Sequence, residues 1–192
     1  MARKKEYDRE EVLVAALEVF WKNGYKATSM AHIVQATNLN TASLYKEFGD
    51  KEGLFREALE YYRDNILSHR LQILVDSPDL NGVRRFLKSV MTGAASPEYK
   101  GCLMMNHLAQ KFNISDQAAS LIDEFREHVE SLLATALQNA QTSGDIPASK
   151  EPEKLASFIM SSVHGMVLYG RYQDRKSHIT DLFEFIWQAV EK

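Results

Sequence analysis

The fold is decided by the stretch Asn38-Leu39-Asn40-Thr41-Ala42-Ser43-Leu44-Tyr45-Lys46-Glu47-Phe48-Gly49-Asp50-Lys51. At helical spacing, Leu39, Leu44 and Phe48 point together into a small core. The opposite face is short, polar and nearly free of acid, and it carries Asn40, Thr41, Ser43, Tyr45 and Lys46. The major groove of DNA admits one helix and presents hydrogen-bonding base edges to it. The stretch therefore predicts a recognition helix.

The end of this stretch predicts a second kind of DNA contact. Asp50 is a good N-cap, which places Lys51 in the first turn of the next helix. A cation at that position opposes the helix dipole at a cost of roughly 0.3–1 kcal/mol. A DNA phosphate bound at the helix start would turn this repulsion into an attraction. We therefore expect Lys51 to clamp a phosphate.

Capping residues place the recognition helix third in a three-helix unit. Apolar residues repeat at a period near 3.6 through the first helix, which Gly24 ends, and Asn38 suits the tight turn before the third helix. The N-cap candidates of the three helices are Asp8; Thr28 or Ser29; and Asn40 or Thr41. Three helices in so short a stretch, the last two joined by a turn of about four residues, predict a helix-turn-helix.

Composition favours a globular chain with placed, rather than abundant, basic charge. The 192 residues are 45% hydrophobic and 26% charged, with a net charge of −3, which argues against a protein that coats nucleic acid non-specifically. Residues 1–50 hold seven Lys or Arg and seven Asp or Glu. Arg3, Lys4 and Lys5 form either an arm that reaches a phosphate or minor groove, or a solvated tail.

Compartment and membrane signals are absent from the sequence. No apolar run approaches the roughly 18–20 residues that span a bilayer, and the N-terminus carries no secretory signal. A single cysteine cannot form an internal disulfide. These features predict a cytoplasmic protein without a membrane partner.

The chain divides into a predicted DNA-binding domain, residues 1–50, and a larger helical domain, residues 51–192. A long amphipathic helix is predicted from Asp50 to His69, roughly 30 Å in length, and could act as a lever between the two domains. Further helices are predicted to begin after Asp79, after Ser115 or Asp116 and at Pro152, and one is predicted to run from about Glu98 to Phe112. The last predicted helix carries the apolar residues from Ile179 to Val190. The predicted fold class is therefore all-α.

The last two helices carry more apolar surface than one chain can cover. We expect them to pair with their copies in a twofold four-helix bundle. A dimer would set two recognition helices about 34–36 Å apart on an imperfect palindrome. The predicted interface residues are Phe158, Ser162, Leu168, Leu182, Phe183, Ile186, Trp187 and Val190.

Two segments resemble the N-terminal domain of the TetR family of transcriptional repressors. They are Gly24-Tyr25-Lys26-Ala27-Thr28-Ser29-Met30 and the run from Leu44 to Phe55, with its Tyr-x-x-Phe-x-x-Lys-x-x-Leu spacing. The chain departs from the family at the turn, where Asn38 stands in place of the usual Gly. The resemblance implies phosphate contacts by Thr28 or Ser29, Tyr45 and Lys51, and base reading by residues 40–46, including Ala42. It also implies a homodimer that binds a double-stranded DNA operator and a small-molecule effector.

Methionine, histidine and aromatic residues of the C-terminal half could line an effector cavity. Residues of these types at helical spacing more often fill a core. The candidate pocket or sensor residues are Tyr62, Phe86, Cys102, Met105, His107, Phe125, His128, Met166 and Tyr169.

Cys102 is the sharpest candidate among these residues. A helix start and the nearby Lys100 would both stabilise a thiolate and lower the pKa of Cys102. The segment Gly-Cys-Leu-x-x-Asn resembles a TetR subgroup that includes redox-, electrophile- and metal-responsive repressors. The alternative is that Cys102 is a small buried core residue.

Enzyme and metal chemistry have little support in the sequence. None of the six histidines pairs with another at helical spacing, and the metalloprotease, phosphate-loop and nucleophile-elbow motifs are missing. Cys102 and His107 would point about 140° apart on one helix, which disfavours a catalytic pair. A metal site formed by Cys102, His107 and His128 stays open, and no cofactor is predicted.

These patterns together predict a ligand-controlled DNA-binding regulator, a repressor released from a palindromic operator by a small-molecule or electrophile inducer. The alternative is a helical small-molecule-binding or thiol redox-sensing protein without specific DNA binding.

Overall fold

The computed structural model describes residues 7–108, 111–172 and 176–191, so the predicted arm at Arg3, Lys4 and Lys5 lies outside the described residues. Regular structure in these ranges is all helical, which confirms the predicted fold class. The helices are α1 (Arg9–Asn23), α2 (Met30–Thr37), α3 (Thr41–Phe48), α4 (Lys51–Tyr61), a π-helical turn (Tyr62–Leu67), α5 (Ser68–Asp76), α6 (Leu80–Ala94), α7 (Leu103–Leu108), a 3-10 turn (Lys111–Asn113), α8 (Asp116–Thr142), α9 (Pro152–Tyr169) and α10 (Lys176–Glu191).

The N-terminal core forms where α1 packs on α2 and α4. Asp8 caps α1 by accepting a hydrogen bond from the Glu10 backbone N–H at 2.7 Å. Phe20 of α1 is fully buried and meets the Phe55 ring of α4 edge-on, at 4.9 Å between ring centres. Because α4 completes this core, it belongs structurally to both halves of the chain, and the division at residues 50 and 51 stays a prediction.

The helical run that starts at Lys51 continues further than predicted, to Asp76 instead of His69. It is interrupted by the π-helical turn Tyr62–Leu67. Such turns widen one helical repeat and occur frequently at functional sites. Ser77 and Pro78 stop the run, because the residue before a proline is disfavoured in helical conformation. The predicted lever therefore consists of α4 and α5, joined at the π-helical turn.

The helix predicted from Glu98 to Phe112 is wrong in extent. Among the described residues of that segment, those of α7, Leu103–Leu108, are α-helical, and a 3-10 turn begins at Lys111. Gly101 has a φ of 87°, a left-handed conformation that prevents the helix from extending N-terminally beyond α7. Asn106 holds this turn, since its side-chain amide donates to the Lys100 carbonyl at 3.1 Å.

The C-terminal half packs α8 against α9, and α10 covers α6 and α9. Four residues predicted at a dimer interface are instead buried within the protomer: Phe183, Ile186, Trp187 and Val190. Their stripe of α10 faces the protomer's own core, and the Arg84 guanidinium lies 5.1 Å from the centre of the Trp187 ring. Among the described helices, none is both long and apolar enough to span a bilayer.

An apolar surface remains after these helices have packed. The exposed fractions are 44% for Phe158, 55% for Leu168 and 69% for Phe185, while Ser162 and Leu182 are half-buried. Gly165 lies on the same side of α9, and a side chain added there would meet nothing within 4 Å. We call Phe158, Ser162, Gly165 and Leu168 of α9 the open face.

Candidate nucleic-acid interface and effector cavity

The third helix presents its polar residues to solvent. Leu44 and Phe48 are buried. The Asn40 side chain caps α3 by accepting from the Ser43 backbone N–H at 2.9 Å. The remaining face is open and consists of Thr41, Ala42, Tyr45 and Lys46, with Ser43 half-buried. This surface has the size and chemistry to enter a major groove.

The acid of α3 is directed away from that face. Glu47 accepts hydrogen bonds from the Tyr7 hydroxyl and the Arg9 Nε, both at 2.8 Å. These bonds also connect the start of α1 to α3. Lys46 therefore stands without a neighbouring carboxylate of its own helix on the exposed side, which favours contact with phosphates.

The turn between α2 and α3 has helix-turn-helix geometry despite the missing glycine. Asn38 adopts the left-handed conformation with a φ of 56°, which asparagine tolerates better than most residues. Ser29 caps α2, accepting from the His32 backbone N–H at 3.3 Å. Of the alternative caps, the structure selects Ser29 and Asn40.

The predicted phosphate contact by the Thr28 side chain is wrong. Thr28 is only 1% exposed. Its hydroxyl donates to the Gly24 carbonyl at 2.7 Å and so closes the loop between α1 and α2. Ser29 is exposed and remains available to a phosphate.

Lys51 has internal partners that the sequence did not reveal. Its Nζ donates to the carbonyls of Tyr25 at 3.1 Å and Thr28 at 2.9 Å. It also lies 4.2 Å from the centre of the Tyr25 ring. The conflict between this cation and the dipole of α4 is therefore relieved by two backbone carbonyls, and DNA is not needed to explain it. Lys51 fastens the start of α4 to the α1–α2 loop, and one ammonium proton is left for a phosphate.

His107 links the two halves of the chain. It is 1% exposed, and its Nε2 accepts a hydrogen bond from the Tyr25 backbone N–H at 3.1 Å. Its Nδ1 lies 2.9 Å from the Leu103 carbonyl, so the neutral tautomer with hydrogen on Nδ1 satisfies both partners. Burial lowers the pKa of His107, which favours this neutral form. His107 is a connecting residue between α7 and the DNA-binding half, and it is not among the residues that line the cavity or the cleft described below.

A narrow apolar cavity lies between helices of the C-terminal half, with a volume of about 40 Å³. Four of the predicted pocket residues line it: Phe86, Cys102, Met105 and Phe125. Ligand sites commonly enclose about 300–1,000 Å³. The cavity is therefore small for a ligand site, and a ligand would have to displace side chains to occupy it.

A cleft of about 320 Å³ opens beside this cavity. Tyr62 lines the cleft, where its edge meets the Trp21 ring at 4.9 Å between ring centres. Leu67, Arg70 and Cys102 line both the cleft and the cavity, so these three residues form the wall between them. We call this wall the gate.

The other predicted pocket residues lie elsewhere. His128 lines a separate surface groove beside Arg63. Met166 is fully buried in the core without lining the cavity, and Tyr169 is exposed beside Tyr172. Within the described ranges, no three His, Cys, Asp or Glu side chains stand close enough to hold a metal ion. The structure therefore does not assemble Cys102, His107 and His128 into a metal site.

The Cys102 thiol has a raised pKa, which contradicts the prediction of a lowered one. Burial is the main cause, opposed by backbone N–H groups of α7 and by a hydrogen bond with the Tyr62 side chain. Lys100 does not assist the thiol, because its Nζ pairs with Glu18 at 2.5 Å. Cys102 is 8% exposed at the gate, so it combines the position of a sensor with the burial of a core residue.

Arg70 is the site residue that the sequence analysis missed. It stands one helical turn from both Leu67 and Leu74 on an otherwise apolar stripe. A charged residue within an apolar helical stripe is the sequence signal that could have identified Arg70.

The exposed polar helix and its left-handed turn define a helix-turn-helix DNA-binding protein with a larger helical C-terminal domain. Residues 12–58 match the profile of bacterial regulatory proteins of the tetR family, and residues 80–186 match the tetracyclin repressor-like C-terminal domain. The chain belongs to the TetR family and is a DNA-binding transcriptional regulator.

Named relatives agree with this assignment. The HTH-type transcriptional repressor ComR of Escherichia coli strain K12 is 30% identical over 174 residues, 88% of this chain and 82% of ComR. The repressor DhaR of Mycobacterium sp. strain GP1 is 21% identical over 184 residues, 95% of this chain and 91% of DhaR. A cysteine-substituted CifR, a TetR family regulator in complex with a 26-bp operator DNA, is 28% identical with a TM-score of 0.82, covering 98% of this chain and 100% of CifR.

Proposed function

We propose that this regulator is a homodimeric repressor that leaves a palindromic operator when a small molecule or electrophile binds at the gate. The observation that carries the proposal is the position of α7. Met105 of α7 and the preceding Cys102 line the cavity, while His107 of the same helix bonds the Tyr25 backbone in the DNA-binding half. One short helix thus contacts both the proposed effector cavity and the α1–α2 loop of the DNA-binding half.

The small volume of the cavity supports a mechanism in which effector binding expands the cavity and thereby releases the protein from its operator. An effector that enters it must push on the cavity wall, and α7 is part of that wall. ComR and DhaR are named repressors, and CifR was solved on its operator. These relatives support repression as the direction of control for this chain.

The Gly-Cys-Leu-x-x-Asn segment supports the proposed access to Cys102. Gly101 has a φ of 87°, a backbone conformation that favours glycine, and a side chain added there would lie 2.6 Å from the Asn106 Oδ1. The turn places the Cys102 sulfur beside Tyr62 at the gate. An electrophile in the cleft would reach this sulfur before it reached the apolar cavity.

The open face supports the proposed dimer. Phe158 and Leu168 are exposed on α9 with the small residues Ser162 and Gly165 between them. Small residues allow two helices to approach closely, and the flanking apolar side chains supply buried area. A second copy of this chain is the proposed occupant, with α9 and α10 of each protomer in contact.

The test is selection of bound duplexes from a random pool, followed by fluorescence anisotropy at several salt concentrations. We expect a palindrome whose half-sites are about one helical turn apart or a multiple of it. Lys46→Ala should reduce the slope of log affinity against log salt, whereas the exposed Lys88 of α6 supplies a matched control. A protein that shows no sequence preference at moderate ionic strength would overturn the proposal.

A further inference from the structure

The gate carries a charge that no neighbouring residue in the described ranges neutralises. Arg70 is half-buried, and within the described part of the chain its guanidinium makes no hydrogen bond or ion pair. By contrast, Lys100 of the same cleft is paired with Glu18. A partly desolvated cation without a partner costs free energy, which a bound anion would recover.

The Arg70 guanidinium lies on the cleft side of the gate. Its terminal nitrogen would lie 3.0 Å from a side-chain carbon built at Gly93, which also lines the cleft. Its positive charge acts on both the Tyr99 hydroxyl and the Cys102 thiol, lowering the pKa of each against the larger raising effect of burial. Glu98 is the carboxylate that lines the cleft, and it is exposed at the rim.

Beyond the gate the surroundings become apolar. Leu71, Phe86, Val90 and Phe125 line the cavity, together with the flexible thioether side chains of Met105 and Met160. Methionine adapts its shape at small cost. A narrow cavity with adaptable walls admits an unbranched chain with less displacement than a ring or a branched group.

We propose that the effector is an amphipathic carboxylate, with its anionic head on Arg70 and an unbranched aliphatic chain in the apolar cavity. This inference rests on the proposed function, because it names the ligand class of the same site. The carboxylate is recognised by the guanidinium in the cleft, where two parallel hydrogen bonds can form. The chain displaces Met105, which lies two residues from His107 on α7.

The test uses octanoate as the probe and octanamide as its neutral counterpart, with the full-length protein. Binding is followed by the fluorescence of Trp21, which lines the cleft, and by release of labelled operator in anisotropy. Octanoate should bind about tenfold to a hundredfold more tightly than octanamide, the range that a charge-assisted hydrogen bond supplies. Equal binding of the two probes by the wild type, or binding of neither, would overturn the inference.

Variants show whether Arg70 is the source of the preference for octanoate over octanamide. Arg70→Met, which keeps an apolar stem, should bind the two probes equally, and Arg70→Lys should restore part of the preference. Arg85→Met removes the same charge from an exposed position of α6 and should behave as wild type. A preference that survives in Arg70→Met would also overturn the inference.

The two proposals fail separately. Operator binding without any probe tests the DNA-binding function alone. If the wild type binds the operator and ignores octanoate, the ligand class is wrong while the proposed repressor stands. If it binds octanoate through Arg70 but prefers no duplex, the ligand class stands and the proposed repressor fails.

Discussion

The hydrogen bond between His107 and the Tyr25 backbone gives the sharpest prediction. In a His107→Leu variant, the Tyr25 N–H loses the acceptor that lies 3.1 Å away in the wild type. A buried N–H group without an acceptor costs about 1–3 kcal/mol. The amide of Tyr25 should therefore exchange with solvent about 5 to 150 times faster, since each 1.4 kcal/mol is about a tenfold change.

The assay is amide hydrogen exchange resolved at Tyr25, by NMR or by mass spectrometry of overlapping peptides. A lower melting temperature should accompany it, by roughly 2–12 °C for this free-energy range in a chain of this size. His107→Gln retains an acceptor on a flexible side chain and should recover part of the protection. His69→Leu removes an exposed histidine of α5 and serves as the matched control.

The pH dependence of this bond has a definite sign. Burial lowers the pKa of His107 in the folded protein, so the unfolded chain takes up its proton first as pH falls. The stabilisation is present above the ordinary histidine pKa of about 6.5 and is lost as pH falls through that value toward the lowered one. Burial also lowers the pKa of His164, so the comparison of wild type with His107→Leu isolates the contribution of His107. Unchanged Tyr25 exchange in His107→Leu, relative to His69→Leu, would refute the link.

Three further predictions concern the DNA contact, the dimer and the thiol. Lys46→Ala should lower the salt slope of operator binding by about 0.9, whereas Lys51→Met should mainly lower the melting temperature, because Lys51 holds two backbone carbonyls; equal slope changes in both variants would contradict this division. Phe158→Asp should sediment as a folded monomer, while Trp187→Asp, at a residue 6% exposed, should unfold, and a folded dimeric Phe158→Asp would place the interface elsewhere. Native Cys102 should react slowly with iodoacetamide at neutral pH and quickly in denaturant, because burial raises its pKa, and equally fast labelling in both states would show an accessible thiolate.

Local patterns predicted the DNA-binding half well because its physics is local. The caps at Asp8 and Asp50 and the buried positions Leu44 and Phe48 follow from residue type and helical spacing alone. Lys51 could not be understood in this way. Its partners, the carbonyls of Tyr25 and Thr28, are distant in sequence and are brought near only by the packing of α1 on α4.

The effector half was predicted less well because its residues serve several faces at once. An apolar stripe on α10 can face a partner or the protomer's own core, and the sequence holds no signal that distinguishes the two; Trp187 proved to be core. The short α7 was extended too far because Gly101 and the Asn106 amide interrupt the helix through a side chain-to-backbone bond. His107 was assigned to the cavity since neither its spacing nor its neighbours reveal that its ring faces Tyr25.

The hydrogen bonds of Tyr25 indicate how the proposed displacement of α7 by an effector would be transmitted to α4. Met105 and His107 are two residues apart on α7, so their side chains point about 200° apart, one to the cavity and one to Tyr25. The Tyr25 N–H donates a hydrogen bond to His107, and the Tyr25 carbonyl accepts one from Lys51. An effector that displaces the α7 backbone together with Met105 would either break the hydrogen bond from Tyr25 to His107 or shift the α1–α2 loop together with the start of α4. Amide exchange at Tyr25 distinguishes the two outcomes, because the exchange rate rises in the first case and stays low in the second.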